Sequence, residues 1–137
     1  MRESIPLTWR RIPERYRLLG SMCEICGQHF FPIRTVCPKC RRRGKIKKVQ
    51  YSGRGKVYSY TTIHTGPTGF EDQIPYTIAI IELDEGAKVL GQIVDADPQK
   101  LKIGAPVEQC FRIIQRDDPE GLIHYGFKFR LVEEKNQ

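Results

Sequence analysis

The stretch CEICGQHFFPIRTVCPKC, residues 23–40, carries four of the five cysteines in a chain of 137 residues. A Cys-x-x-Cys pair sets two thiolates on one tight knuckle. Two such knuckles complete a tetrahedral sulfur cage of the kind zinc takes in structural sites. The candidate ligands are therefore Cys23, Cys26, Cys37 and Cys40, and the segment GQHFFPIRTV between the knuckles is long enough for a hairpin. Gly27 follows the first knuckle and permits a backbone that turns amides toward sulfur. The second knuckle has Pro38 inside it and Arg41 after it, so it lacks that glycine. With every ligand position taken by sulfur there is no vacancy for water or substrate, and the ion is structural. Iron in the same cage, as in a rubredoxin, would instead transfer electrons. His29 lies between the knuckles, but four thiolates already fill the shell.

Positive charge surrounds this stretch. The formal charge of the chain is +7, and it is unevenly spread. Residues 1–56 hold 15 Lys/Arg against 3 Asp/Glu, whereas residues 57–137 hold 8 against 13. Four thiolates on a divalent ion leave a charge of about −2, which Arg34, Lys39, Arg41, Arg42 and Arg43 would offset. A negatively charged partner should meet this first part rather than the remainder.

Before the cysteines, PLTWRRIPERYRLLG (residues 6–20) predicts one or two helical turns. Pro13 would interrupt them or begin the second, and Gly20 would stop them. Trp9, Ile12, Tyr16 and Leu19 recur at helical spacing on one face, with Arg10, Arg11, Arg15 and Arg17 opposite. That face packs on its own domain or docks on a partner protein.

From residue 54 the period becomes two. Strands are predicted at 55–64, 75–83, 86–95, 105–115 and 122–132. The apolar run PYTIAIIEL (residues 75–83) reads as a central strand covered on both faces. In the last strand Ile123, Tyr125, Phe127, Phe129 and Leu131 share one face, while Lys128 and Arg130 point the other way. Asp117 and Asp118, before Pro119, read as solvated turn formers. Five short antiparallel strands, with an irregular link between the third and fourth, fit a Greek-key barrel of OB type. The expected class is mainly β: an N-terminal helical segment (1–20), a rubredoxin-like zinc ribbon (21–50) and a five-stranded OB-fold barrel (51–137).

No catalytic residues are assigned. No Gly-x-Ser-x-Gly, Walker loop or His-Glu-x-x-His occurs. His64 and His124 lie on strands without a nucleophile beside them, and Cys110 reads as a small core residue in mid-strand. No apolar run approaches the roughly 18 residues of a membrane span. The N-terminus lacks the apolar region of a secretory signal, and paired cysteines serving metal suit the cytoplasm. The residues leave two binding functions level. Tyr58, Tyr60 and Phe70 could stack bases while CRRRGKIKK (residues 40–48) tracks phosphates. Alternatively, the chain binds an acyl carrier or another protein.

The run YRLLGSMCEICGQHFFPIRTVCPKC (residues 16–40), a short basic connector and the strand GRGKVYSYTTIH (residues 53–64) resemble a known family over nearly the whole chain. These are the zinc-ribbon plus OB-fold proteins, of formerly unknown function, that accompany thiolases and acyl-CoA enzymes. The resemblance implies a non-catalytic scaffold bridging acetoacetyl-CoA thiolase and HMG-CoA synthase in the mevalonate pathway. Acetoacetyl-CoA would then pass on without release. It also implies coenzyme A near the partner interface, within reach of Arg10, Arg11 and Arg41 to Arg43, although no coenzyme-A motif maps onto individual residues.

Overall fold

Ser4 begins the one α-helix among the described residues: its side-chain oxygen accepts from the Leu7 N–H at 3.4 Å, the usual service of an N-cap serine. A computed structural model describes residues 4–117 and 120–132, so Asp118 and Pro119 of the expected turn lie outside the described residues. Helix α1 runs Ile5–Arg17 and continues through Pro13, correcting the expectation of an interruption there. The helix stops one turn of chain earlier than Gly20, at Leu18, whose φ of 52° is left-handed. Leu19 is consequently not on the helix face but opens the first strand.

Strands β1 (Leu19–Cys23), β2 (His29–Phe30) and β3 (Ile46–Gln50) form a three-stranded sheet in the order β2-β1-β3. Gly20 sits where this sheet meets the next unit. A Cβ there would overlap the Tyr51 ring and the Phe30 carbonyl oxygen, so only glycine fits.

Strands β4 (Arg54–Ile63), β5 (Tyr76–Leu83), β6 (Lys88–Val94), β7 (Pro106–Arg116) and β8 (Ile123–Leu131) follow. They close into a barrel in the order β4-β5-β6-β8-β7. Parallel pairing of β6 with β8 (Ile93 beside Phe129) and antiparallel pairing of β4 with β7 complete the ring. The fold is thus mainly β, with an N-terminal helix, a ribbon and a five-stranded OB-type barrel. Val57, Ala79, Ile81, Leu83, Val89, Val107 and Phe129 fill the interior, following the alternation of inward and outward positions.

Two expectations within the barrel are corrected. β5 is covered on one face only, because Ile80 is exposed on the other. Cys110 lies outside the buried core, half-buried on β7 opposite Lys128 of β8. Lys128 lies on the face opposite the core, as expected, yet is only 5% exposed. The burial of Lys128 follows from the β4–β5 loop, which folds back over the outer surface of β7 and β8. Gln73, in a turn of 3-10 helix at Glu71–Gln73, receives the Lys128 Nζ at 3.1 Å and donates to the Ile114 carbonyl at 3.0 Å.

Strands β7 and β8 form a hairpin that carries α1 at its far end. Tyr16 meets Phe111 edge-on at 5.0 Å, and Phe111 stacks on Tyr125 at 5.4 Å. Phe31 of the ribbon meets Phe127 edge-on at 5.5 Å. Aromatic side chains therefore join helix, ribbon and hairpin.

Candidate functional site

Each knuckle of the ribbon turns on a residue with positive φ. Gly27 (φ 72°) follows Cys26, and its N–H donates to the Cys23 carbonyl at 2.8 Å. Arg41 (φ 51°) follows Cys40, and its N–H donates to the Cys37 carbonyl at 2.8 Å. The second knuckle therefore adopts the turn of the first without the glycine, accepting the steric cost of a left-handed arginine. Gly44 supplies room instead, since a Cβ there would press on the Cys37 side chain.

The knuckles bring the sulfurs of Cys23, Cys26, Cys37 and Cys40 within 4.8 Å of one another, with Cys26 and Cys37 3.6 Å apart. At a zinc–sulfur distance of about 2.3 Å, tetrahedral sulfurs lie about 3.8 Å apart. The donor set and its spacing thus fit a four-thiolate metal centre. The sulfurs are not equivalent. The Cys26 backbone N–H, with those of Ile25 and Lys45, lowers the Cys23 thiol to about 6 against the opposing effect of burial. Burial, together with hydrogen bonds to the neighbouring cysteines, pushes Cys40 up to about 12. A cation would oppose the latter shift. His29 stays outside the cluster, its ring 5.7 Å from that of Tyr51.

The expected basic surface is dispersed. Arg41, Arg42 and Arg43 are exposed on the second knuckle, Arg34 lies over the Phe30 ring at 5.2 Å, and Lys47 reaches Glu24 at 3.8 Å. The aromatic residues considered for base stacking are not gathered into one platform. Lys88 sits over the Tyr58 ring at 4.0 Å, and the Tyr60 hydroxyl donates to the Leu101 carbonyl at 3.3 Å. Phe70 instead faces Tyr76, their centroids 5.8 Å apart.

An accessible apolar surface lies on α1. No residue of the helix is buried, and Trp9 is 74% exposed. Ile5, Trp9 and Ile12 border a groove of about 230 Å³ whose other bank is Leu122 and Ile123 at the hairpin tip. Arg10, Arg11 and Arg17 are exposed, whereas Arg15 is half-buried in the groove wall. The helical spacing of Trp9, Ile12 and Tyr16 signalled the apolar stripe, although it could not say that the stripe would remain uncovered.

Sequence reasoning missed Tyr51, Gln73 and Lys128. Tyr51 is 2% exposed and its hydroxyl donates to the Phe30 carbonyl at 2.8 Å; no periodic pattern marks a residue between two units. Among the described residues, no helix is long and apolar enough to cross a membrane.

Residues 10–45 match the family model described as the ChsH2 rubredoxin-like zinc ribbon domain, and residues 48–112 match that of the ChsH2 C-terminal OB-fold domain. A DUF35 domain-containing scaffold protein of Methanocaldococcus jannaschii is 51% identical over 126 residues, covering 92% of this chain and 89% of that protein. The benzoylsuccinyl-CoA thiolase subunit BbsA of Thauera aromatica is 31% identical, with 84% and 76% covered. A solved structure of the Ltp2-ChsH2(DUF35) aldolase superposes with a TM-score of 0.68 at 30% identity, covering 96% of each chain.

Proposed function

Because this chain belongs to the DUF35 family, joining a ChsH2-type zinc ribbon to a ChsH2-type OB-fold, we propose that it is a non-catalytic scaffold for acyl-CoA enzymes. In this reading it bridges acetoacetyl-CoA thiolase and HMG-CoA synthase in the cytoplasm, so that acetoacetyl-CoA passes between them in the mevalonate pathway. Thiolase condensation runs uphill and gains from immediate consumption of its product. The observation that carries the reading is Trp9, 74% exposed beside an apolar groove on a helix with no fully buried residue. An exposed tryptophan in such a setting is a common anchor of protein–protein interfaces. The names of the relatives, a scaffold protein and a thiolase subunit, support the same class of partner.

Cys23, Cys26, Cys37 and Cys40 would hold a structural zinc ion, which cross-links the two knuckles when bound. The ribbon (21–50) and helix (1–20) would face one enzyme and the barrel (51–137) the other. Arg10, Arg11 and Arg41 to Arg43 would lie near coenzyme A at the enzyme interface. Purification of the untagged complex under native conditions, followed by mass spectrometry, tests the proposal. Co-purification with a thiolase and HMG-CoA synthase is expected. Recovery of RNA or ribosomal proteins alone would replace it with the nucleic-acid reading.

A further inference from the structure

The outer surface of β5 and β6, the β4–β5 loop and the tip of the β7–β8 hairpin enclose a cleft of about 800 Å³. That volume lies within the range of small-molecule sites, and on OB barrels these strands and loops form the ligand face. Phe70 and Tyr76 set two rings in its wall, 35° from parallel. Arg15, Arg116 and Lys128 bring positive charge to the same cleft, against one carboxylate in its wall, Asp117, which is held by His124 at 3.1 Å.

Lys128 is the unusual member. It is 5% exposed, and its one hydrogen bond among the described residues is to Gln73 Oε1 at 3.1 Å. An ammonium has three donors, and no carboxylate among the described residues forms an ion pair with this one. Gln73 is held in place by its bond to the Ile114 carbonyl, so the lysine is positioned but not neutralised. Burial lowers its pKa; Cys110 opposes the shift and nearby Arg112 adds to it. A buried cation without a counter-charge is costly unless a ligand supplies one. The ligand is limited in size by the surrounding charge. Residues 57–137 carry 13 acidic against 8 basic side chains, which repel an extended polyanion while the cleft meets a single anionic group locally.

We propose that this cleft binds a single phosphorylated nucleotide, with its phosphate at Lys128 and its base against Phe70 and Tyr76. The base uses ring stacking, which tolerates any flat heterocycle; the phosphate uses a charge-assisted hydrogen bond.

Titration calorimetry of the full chain with ADP tests the site, independently of the scaffold reading because no partner enzyme is present. Saturable binding is expected, weakened about tenfold or more in Lys128→Met. Lys88→Met, a lysine outside the cleft, should bind as the parent does. Phe70→Ala provides a second test should Lys128→Met fail to fold, and it too should weaken ADP. Inorganic phosphate should bind more weakly than ADP, and an oligothymidylate should not bind more tightly. No ADP binding at millimolar concentration, undiminished binding in the folded Lys128→Met protein or in Phe70→Ala, or tighter binding of the oligothymidylate would overturn the assignment.

Discussion

The Tyr51 hydroxyl donates to the Phe30 carbonyl oxygen at 2.8 Å and lies 3.2 Å from the Ser21 carbonyl oxygen. Phe30 and Ser21 are register partners in the ribbon sheet, and Tyr51 belongs to the core cluster that includes the barrel residues Val57 and Phe129. One side chain thus fastens the ribbon to the barrel. Tyr51→Phe keeps the ring and strips the hydroxyl donor from the buried Phe30 carbonyl. It should lower stability by about 1–3 kcal/mol, read as a lower denaturant midpoint with the slope unchanged.

The two knuckles predict opposite responses to glycine. Arg41→Gly relieves a left-handed side chain at φ 51° and should leave stability unchanged or raise it by about 1 kcal/mol, provided the greater freedom of the unfolded glycine does not cancel the gain. Gly27→Ala introduces that strain at φ 72°, although no atom stands in the way. It should cost about 1 kcal/mol. Thermal melts of the zinc-loaded proteins compare the pair.

Removing the metal should loosen the ribbon first. With four sulfurs within 4.8 Å, elemental analysis should find about one zinc per chain, and a strong chelator should lower the melting temperature. Cys40→Ser should reduce zinc content and expose the ribbon amides of β1 and β2 to hydrogen exchange. Barrel amides such as those of Ile81 and Val89 should stay protected.

Trp9→Glu separates docking from folding. Because Trp9 is 74% exposed, the substitution should change stability by no more than about 0.5 kcal/mol. It should nevertheless sharply reduce recovery of enzyme partners in native purification. Equal recovery would place the enzyme interface elsewhere.

Lys128 makes stability depend on alkaline pH in a defined direction. Its pKa in the folded chain is lowered by burial from the ordinary 10.5. Below the folded pKa both states are protonated and the buried charge opposes folding. As pH rises through the folded pKa toward 10.5, the native state releases its proton while the unfolded state retains it. Stability should therefore rise across that window relative to Lys128→Met, which lacks the group. Urea unfolding of both proteins at pH 7 and at about pH 10 measures the difference.

The cysteine cluster and the barrel were both legible as short periods in the chain. Two Cys-x-x-Cys pairs fix four sulfurs on two knuckles by local geometry alone, and the alternation of Val57, Ile81, Val89 and Phe129 with outward residues fixes the inner face of each strand. The unbroken helix through Pro13 was not legible. A proline usually interrupts a helix interior, and here tertiary contacts such as Tyr16 on Phe111 hold the last turn.

By itself, the sequence determined the two Cys-x-x-Cys pairs, the change of period at residue 54 and the split of charge between the two parts of the chain. Only the tertiary structure decided that Trp9 stays uncovered, that Tyr51 joins the two units and that Lys128 is buried beside Gln73. Period and spacing are local properties, set by the geometry of a strand or knuckle. Burial of an outward-facing residue depends instead on where a distant loop lands, and Gln73 lies 55 positions from Lys128. No local pattern encodes that distance.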